Sequence, residues 1–178
     1  PIGVYESERW QEQSPDLLTQ ATIRMRKFQS GDLSVDDVFD VELLGRYMAV
    51  CDLLNTGHGS EFKSVKFYYN PITQKLEPIG IDGHQLGTIG VIIASDRGPL
   101  PAARGDVWIR ALFDKDLNEN SKFLAAYGRN LERLTSKIYL EDFYKRIQPE
   151  LERNLDFLYS EIPFVDLWAF AGKGSQHQ

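Results

Sequence analysis

The stretch that decides the fold is FDVELLGRYMAVCDLLNTGHGSEFKSVKFYYNPITQKLEPIGID, residues 39–82. Asp40 has a short side chain that can accept from the first free N–H groups of a helix. After it, Leu43, Leu44, Tyr47, Val50, Cys51 and Leu54 recur at helical spacing. The pattern predicts a helix opening at Asp40 with a wide apolar stripe, and therefore a well-buried one. Asn55-Thr56-Gly57 predicts its end, and His58-Gly59-Ser60-Glu61 a polar loop. The period then changes. Val65, Phe67 and Tyr69 alternate with Lys66, Tyr68 and Asn70, Asn70 to Gln74 is turn chemistry, and Leu76 to Ile81 reads as a return strand. This is a β-hairpin pattern, with one of Tyr68 and Tyr69 expected in the core and the other at the surface. Pro78 lacks an N–H, which suits an edge or an irregularity. Asp82-Gly83-His84 falls where the return strand runs out.

Outward from that stretch the chain is mostly helical. Ser14-Pro15-Asp16 predicts a helix start, with Ser14 as cap, followed by Leu17, Leu18, Ala21, Met25 and Phe28 and stopped by Gly31. Ser34 to Asp37 predicts a capped turn carrying Val38 and Phe39. Gln85 to Arg104 is rich in Gly and Pro and reads as a long loop, a length usual only for functional or mobile segments. Three helices follow, over Asp106–Phe113, Asn120–Thr135 and Leu140–Tyr159; Trp108, Trp168 and the aromatic residues of the last helices are expected in the core. Residues 171–178 read as a disordered tail. No repeat and no linker interrupts residues 1–170. The fold class expected is mainly α with one small β-hairpin (α+β), in a single domain.

Composition narrows the function. The chain has 178 residues, of which 42% are hydrophobic and 26% charged, which argues against disorder as the main state. Apolar runs such as Val91 to Ala94 are far short of the ~20 residues of a membrane span. A net charge of −6 argues against a nucleic-acid partner, since phosphate binding needs clustered cations. Arg24, Arg26 and Lys27 read as a solvated helix face. The single Cys51 rules out an internal disulfide and a multi-cysteine zinc site, and its apolar surroundings suit a small buried hydrophobe better than a nucleophile. Asp52 is an acid within that apolar stretch, and a buried carboxylate wants a partner such as Arg46. The glycines at 57, 59, 80, 83, 87 and 90 fit no P-loop spacing.

A helix, a polar loop, a hairpin and an Asp at the strand end can build a metal–phosphate site. The loop supplies a base, and the strand-end Asp holds Mg²⁺ between phosphates. By spacing alone the signal is weak, since turn formation or helix capping explains most strand-end Asp residues. The residues themselves go further: Phe39 to Val50, Lys66 to Pro71 and Leu76 to Asp82 resemble the CotH kinase family of spore-coat proteins and their bacterial and fungal relatives. The resemblance is clear over residues 38–84 and looser over the first and last helices. It implies the C-terminal lobe of an atypical protein-kinase-like fold, with an ATP-clamping N-terminal lobe lying before Pro1 and this chain inactive alone. It implies a nucleotide partner and ATP with Mg²⁺ as cofactors, Asp82 as metal ligand and catalytic residue, and transfer of the γ-phosphoryl group to Ser or Thr of a protein substrate. A secreted or cell-surface setting follows from the same likeness.

The chain departs from the family pattern at the loop. His58 stands at or near the place of the catalytic Asp, and could take a proton from a substrate hydroxyl. Lys63 and Ser64 replace a His-Asn pair, so the cofactor-binding positions implied are Ser64 and Lys66. These departures leave a second reading open, a catalytically inactive pseudokinase or binding module. A third is a metal-dependent hydrolase using His58, Asp82 and His84 as three ligands.

Overall fold

The computed structural model describes residues 3–61, 64–80, 92, 107–113 and 121–163. The predicted loop over Gln85–Arg104, apart from residue 92, lies outside the described residues, as do Trp168 and the tail over 171–178. The described chain is mainly helical with one two-stranded antiparallel sheet, an α+β arrangement.

Helix α1 (Ser7–Gln13) precedes α2 (Pro15–Ser30). The Ser14 side chain makes no cap bond to α2, contrary to the sequence expectation. Its backbone is already engaged on both sides: the Ser14 N–H closes α1 on the Trp10 carbonyl at 2.9 Å, and its carbonyl accepts from Leu18 N at 3.2 Å. At the far end Gly31 takes the left-handed conformation (φ 81°) that only Gly adopts at low cost, and its N–H closes α2.

The short helix α3 (Val35–Val38) is fixed by a reciprocal capping box. Asp37 N donates to Ser34 Oγ at 3.2 Å, and Ser34 N donates to Asp37 Oδ2 at 3.0 Å. This turn sends Val35, Val38 and Phe39 into the core. Asp40 then caps α4 (Val41–Leu53) by accepting from Leu43 N at 3.0 Å.

The buried face of α4 is not the one its large apolar residues suggest. Leu44, Gly45, Met48, Ala49, Cys51 and Asp52 are buried, whereas Val50 and Leu54 are 36% and 53% exposed. The cause is α7 (Lys122–Thr135), which packs against Gly45 so closely that a Cβ there would sit 2.7 Å from Tyr127 N. The small residues set the helix face because they admit the neighbouring backbone.

The hairpin pairs β1 (Lys66–Asn70) with β2 (Lys75–Ile79), Lys66 facing Ile79 and Asn70 facing Lys75. Asn70 Oδ1 accepts from Ile72 N at 2.9 Å and so closes the turn locally. The Leu76 carbonyl accepts from Asp40 N at 3.0 Å on the outer side of β2. Pro78 shares that non-ladder phase of the strand, two residues on, so its missing N–H costs no ladder bond. Phe67, Tyr69 and Leu76 face the core while Lys66 and Tyr68 are exposed, so the tyrosine pair divides as the alternation predicts. Lys75 Nζ donates to the Asp36 and Asp37 carbonyls, both at 2.7 Å, and Arg24 donates to Asp37 O and Gln74 Oε1. Arg24 is thus a hairpin clasp, not part of a solvated face.

The core is aromatic at its centre. Phe28 from α2, Phe39, Phe67 from β1 and Trp108 from α6 (Val107–Phe113) meet with ring centroids 5.0 to 5.6 Å apart, several of them edge to face. Each such pair adds about 0.5–1.5 kcal/mol beyond area burial. Phe113, Phe123 and Tyr127 form a second group beside α4 and α7. The expectation of core residues fails for α8 (Lys137–Glu161), which buries none of its residues. It touches the domain near its start, against α7, and then leaves it.

Candidate functional site

The hairpin register brings one end of the sheet together with the loop after α4. Lys66 opens β1 opposite Ile79, which ends β2. Ser64 immediately precedes this end of the sheet, and in the sequence Asp82 follows Ile79 by three positions. Ser64 sits just before β1, half-buried, with its backbone N–H on the Glu61 carbonyl at 2.9 Å. Lys66 is exposed on the outer face of the sheet. Asp82, His84 and Lys63 lie outside the described residues, and so does the side chain of His58. Ser64 and Lys66, the positions expected to bind the cofactor, thus share one end of the hairpin.

The segment carrying His58 is not the polar loop its composition suggests. It forms one helical turn, α5 (Gly57–Ser60), in which Gly59 and Ser60 are buried. Long-range donors hold it. Tyr47 of α4 donates from its hydroxyl to the Gly59 carbonyl at 2.7 Å. The Trp108 indole N–H donates to the Ser60 carbonyl at 3.2 Å. At its start, Thr56 is buried with its hydroxyl on the Cys51 carbonyl at 3.3 Å, and Gly59 N closes on the Thr56 carbonyl at 2.9 Å. The turn is therefore fastened to α4 on one side and α6 on the other.

The electrostatics beneath α5 favour neutral groups. Burial pushes the Tyr47 phenol well above its ordinary range, and the adjoining Cys51 adds to this, so Tyr47 remains a donor. Burial also raises the Cys51 thiol, against the opposing pull of the Thr56 and Tyr47 hydroxyls beside it. A thiol held protonated is a poor nucleophile, which supports the structural role expected of Cys51.

Asp52 is 5% exposed and accepts a hydrogen bond from the Tyr127 hydroxyl. The expected Arg46 partner is exposed on another face of α4. Tyr127 reaches Asp52 because α7 runs so close to Gly45; the two residues are 75 positions apart, beyond any local pattern. The readable signal for this contact was a glycine in the middle of a helix, which often marks a close backbone approach.

Among the described residues no group of three or more His, Cys, Asp or Glu is placed to hold a metal ion, and no helix is long and apolar enough to cross a membrane. Compared with protein-family models, with curated proteins and with solved structures, the chain finds no match.

Proposed function

We propose that the chain carries the Mg²⁺- and nucleotide-handling end of a CotH-like protein kinase domain, which transfers the γ-phosphoryl group of ATP to Ser or Thr of a protein substrate. The observation that carries the reading is the Lys66–Ile79 end of the hairpin: Ser64 and Lys66 lie there, the backbone turn of residues 57–60 before them is pinned by Tyr47 and Trp108, and in the sequence Asp82 follows Ile79 by three positions. Phosphoryl transfer needs positioned charge more than covalent chemistry, and a rigid strand next to a fixed loop supplies positions of that kind. Asp82 holds Mg²⁺ on the phosphates and His58 takes the substrate proton. Ser64 and Lys66 border the phosphates. The resemblance over residues 38–84 supplies these roles, and a secreted or surface substrate with them.

Ser64 favours a second reading. A serine hydroxyl is a weaker metal ligand than the amide that the family pattern expects there, so the site could bind nucleotide without transferring phosphate. Transfer from γ-labelled ATP to a protein substrate by the full-length protein separates the two. Label incorporation lost in both Asp82→Ala and His58→Ala supports the kinase. Nucleotide binding without incorporation supports the pseudokinase.

A further inference from the structure

The longest helix leaves a patterned surface uncovered. Over 25 residues α8 buries no side chain, and its length is about 37 Å. Leu140, Phe143 and Leu151 are 39%, 36% and 46% exposed, and Ile147, Leu155 and Leu158 on the same face are only half-buried. At 100° per residue these six residues lie in one stripe, with Pro149 on the opposite side, where its missing N–H leaves the Lys145 carbonyl to solvent.

The six apolar residues are symmetric about Pro149, and Tyr144 and Asn154, five residues to either side of it, share the stripe. Ile147 and Leu151 stand two residues to either side, Phe143 and Leu155 six, and Leu140 and Leu158 nine. An antiparallel two-fold pair demands this palindrome, because each residue must meet its mirror position on the other copy. The charges agree in direction. Residues 137–148 carry Lys137, Lys145 and Arg146 against Glu141 and Asp142, whereas 149–161 carry Arg153 against Glu150, Glu152, Asp156 and Glu161. Antiparallel pairing sets the net positive half against the net negative half, and parallel pairing sets acid against acid. Beside the stripe an open groove, whose lining includes Lys137, Leu140, Glu141, Tyr144 and Lys145, offers room for side chains of a facing helix. A lipid surface is the poorer occupant, since the polar face is net acidic where an interfacial helix carries Lys and Arg.

We infer that α8 pairs antiparallel with α8 of a second copy, making the protein a two-fold dimer through a helix that stands clear of the aromatic core. Sedimentation equilibrium gives the dimer mass for the wild type. Leu151→Glu, beside the two-fold axis, halves that mass with helix content and melting of the core unchanged, because Leu151 is 46% exposed and α8 meets the core through Tyr139, near its start. Ile138→Glu, off the stripe and 82% exposed, leaves the dimer intact. With oxidised glutathione, Leu140→Cys mixed with Leu158→Cys yields a disulfide-linked dimer, and neither alone does. A monomeric wild type, a Leu151→Glu dimer, cross-linking of Leu140→Cys with itself, or a monomer that co-sediments with anionic vesicles would each overturn the inference.

Discussion

Replacing Gly45 by Ala should weaken this protein although it improves a helix. In an isolated α4 the change gains about 0.5–1 kcal/mol, because Gly forfeits more backbone freedom than Ala. In the folded chain the new Cβ would meet Tyr127 N at 2.7 Å and the Ala126 carbonyl carbon and Cβ at 2.9 Å. Two of the three are backbone atoms, so no rotamer change relieves the clash. Ordinary contact needs about 3.5–4.0 Å, so α4 and α7 must part by roughly 0.7 Å or more. Overpacking of this kind costs about 1–3 kcal/mol, which leaves a net loss of about 1–2 kcal/mol after the propensity gain. For a chain of this size that is a fall in Tm of about 2–8 °C. Gly128 in α7 is the control, since nothing lies within 4 Å of a Cβ there; Gly128→Ala should stabilise by about 0.5–1 kcal/mol. Urea unfolding followed by circular dichroism reads both. A Gly45→Ala protein as stable as Gly128→Ala would refute the close crossing of α4 and α7.

Three further outcomes follow from local geometry. Ser34→Ala removes the capping box of α3 and should cost about 1 kcal/mol in thermal unfolding. The Ser34 hydroxyl and N–H hold the Asp37 carboxyl below the ordinary carboxylate range, so its contribution is present above that range and is lost as pH falls through the lower folded value; Ser34→Ala should flatten this acid limb. Tyr127→Phe removes the hydroxyl donated to buried Asp52 and should cost about 1–3 kcal/mol, read as a lower urea midpoint. Cys51, buried with its thiol pKa raised, should resist iodoacetamide at pH 8 in the folded protein and react at once in guanidinium; rapid native labelling would contradict its placement.

What the sequence disclosed was what depends on neighbours along the chain. The Asp40 cap, the capped turn over Ser34 to Asp37, the Gly31 stop and the hairpin are each set by side chains within a few positions, and each is found in the fold, the hairpin over Lys66–Ile79. The α4 face was misread because Gly45 and Ala49 carry little hydrophobicity, yet their small size decides where α7 lies. The α5 turn was misread because Gly59 and Ser60 look like loop residues, and what holds them comes from Tyr47 and from Trp108, 48 positions beyond Ser60. The apolar stripe of α8 was read correctly as a helix face and wrongly as core, since periodicity tells which side of a helix is apolar and not what covers it. At the candidate site, order along the chain gives the expectation that His58, Ser64, Lys66 and Asp82 lie together; Asp82 and the side chain of His58 fall outside the described residues. The hairpin register sets Ser64 and Lys66 at one end of the sheet.

The central claim is a Mg²⁺-dependent nucleotide site reached through Asp82, and calorimetric titration of the full-length protein with Mg·ATP tests it most directly. Saturable binding that vanishes without Mg²⁺ and in Asp82→Ala, with the circular dichroism of the variant unchanged, is the predicted result. No heat of binding at millimolar nucleotide from a folded protein, or binding indifferent to Asp82→Ala, would contradict it.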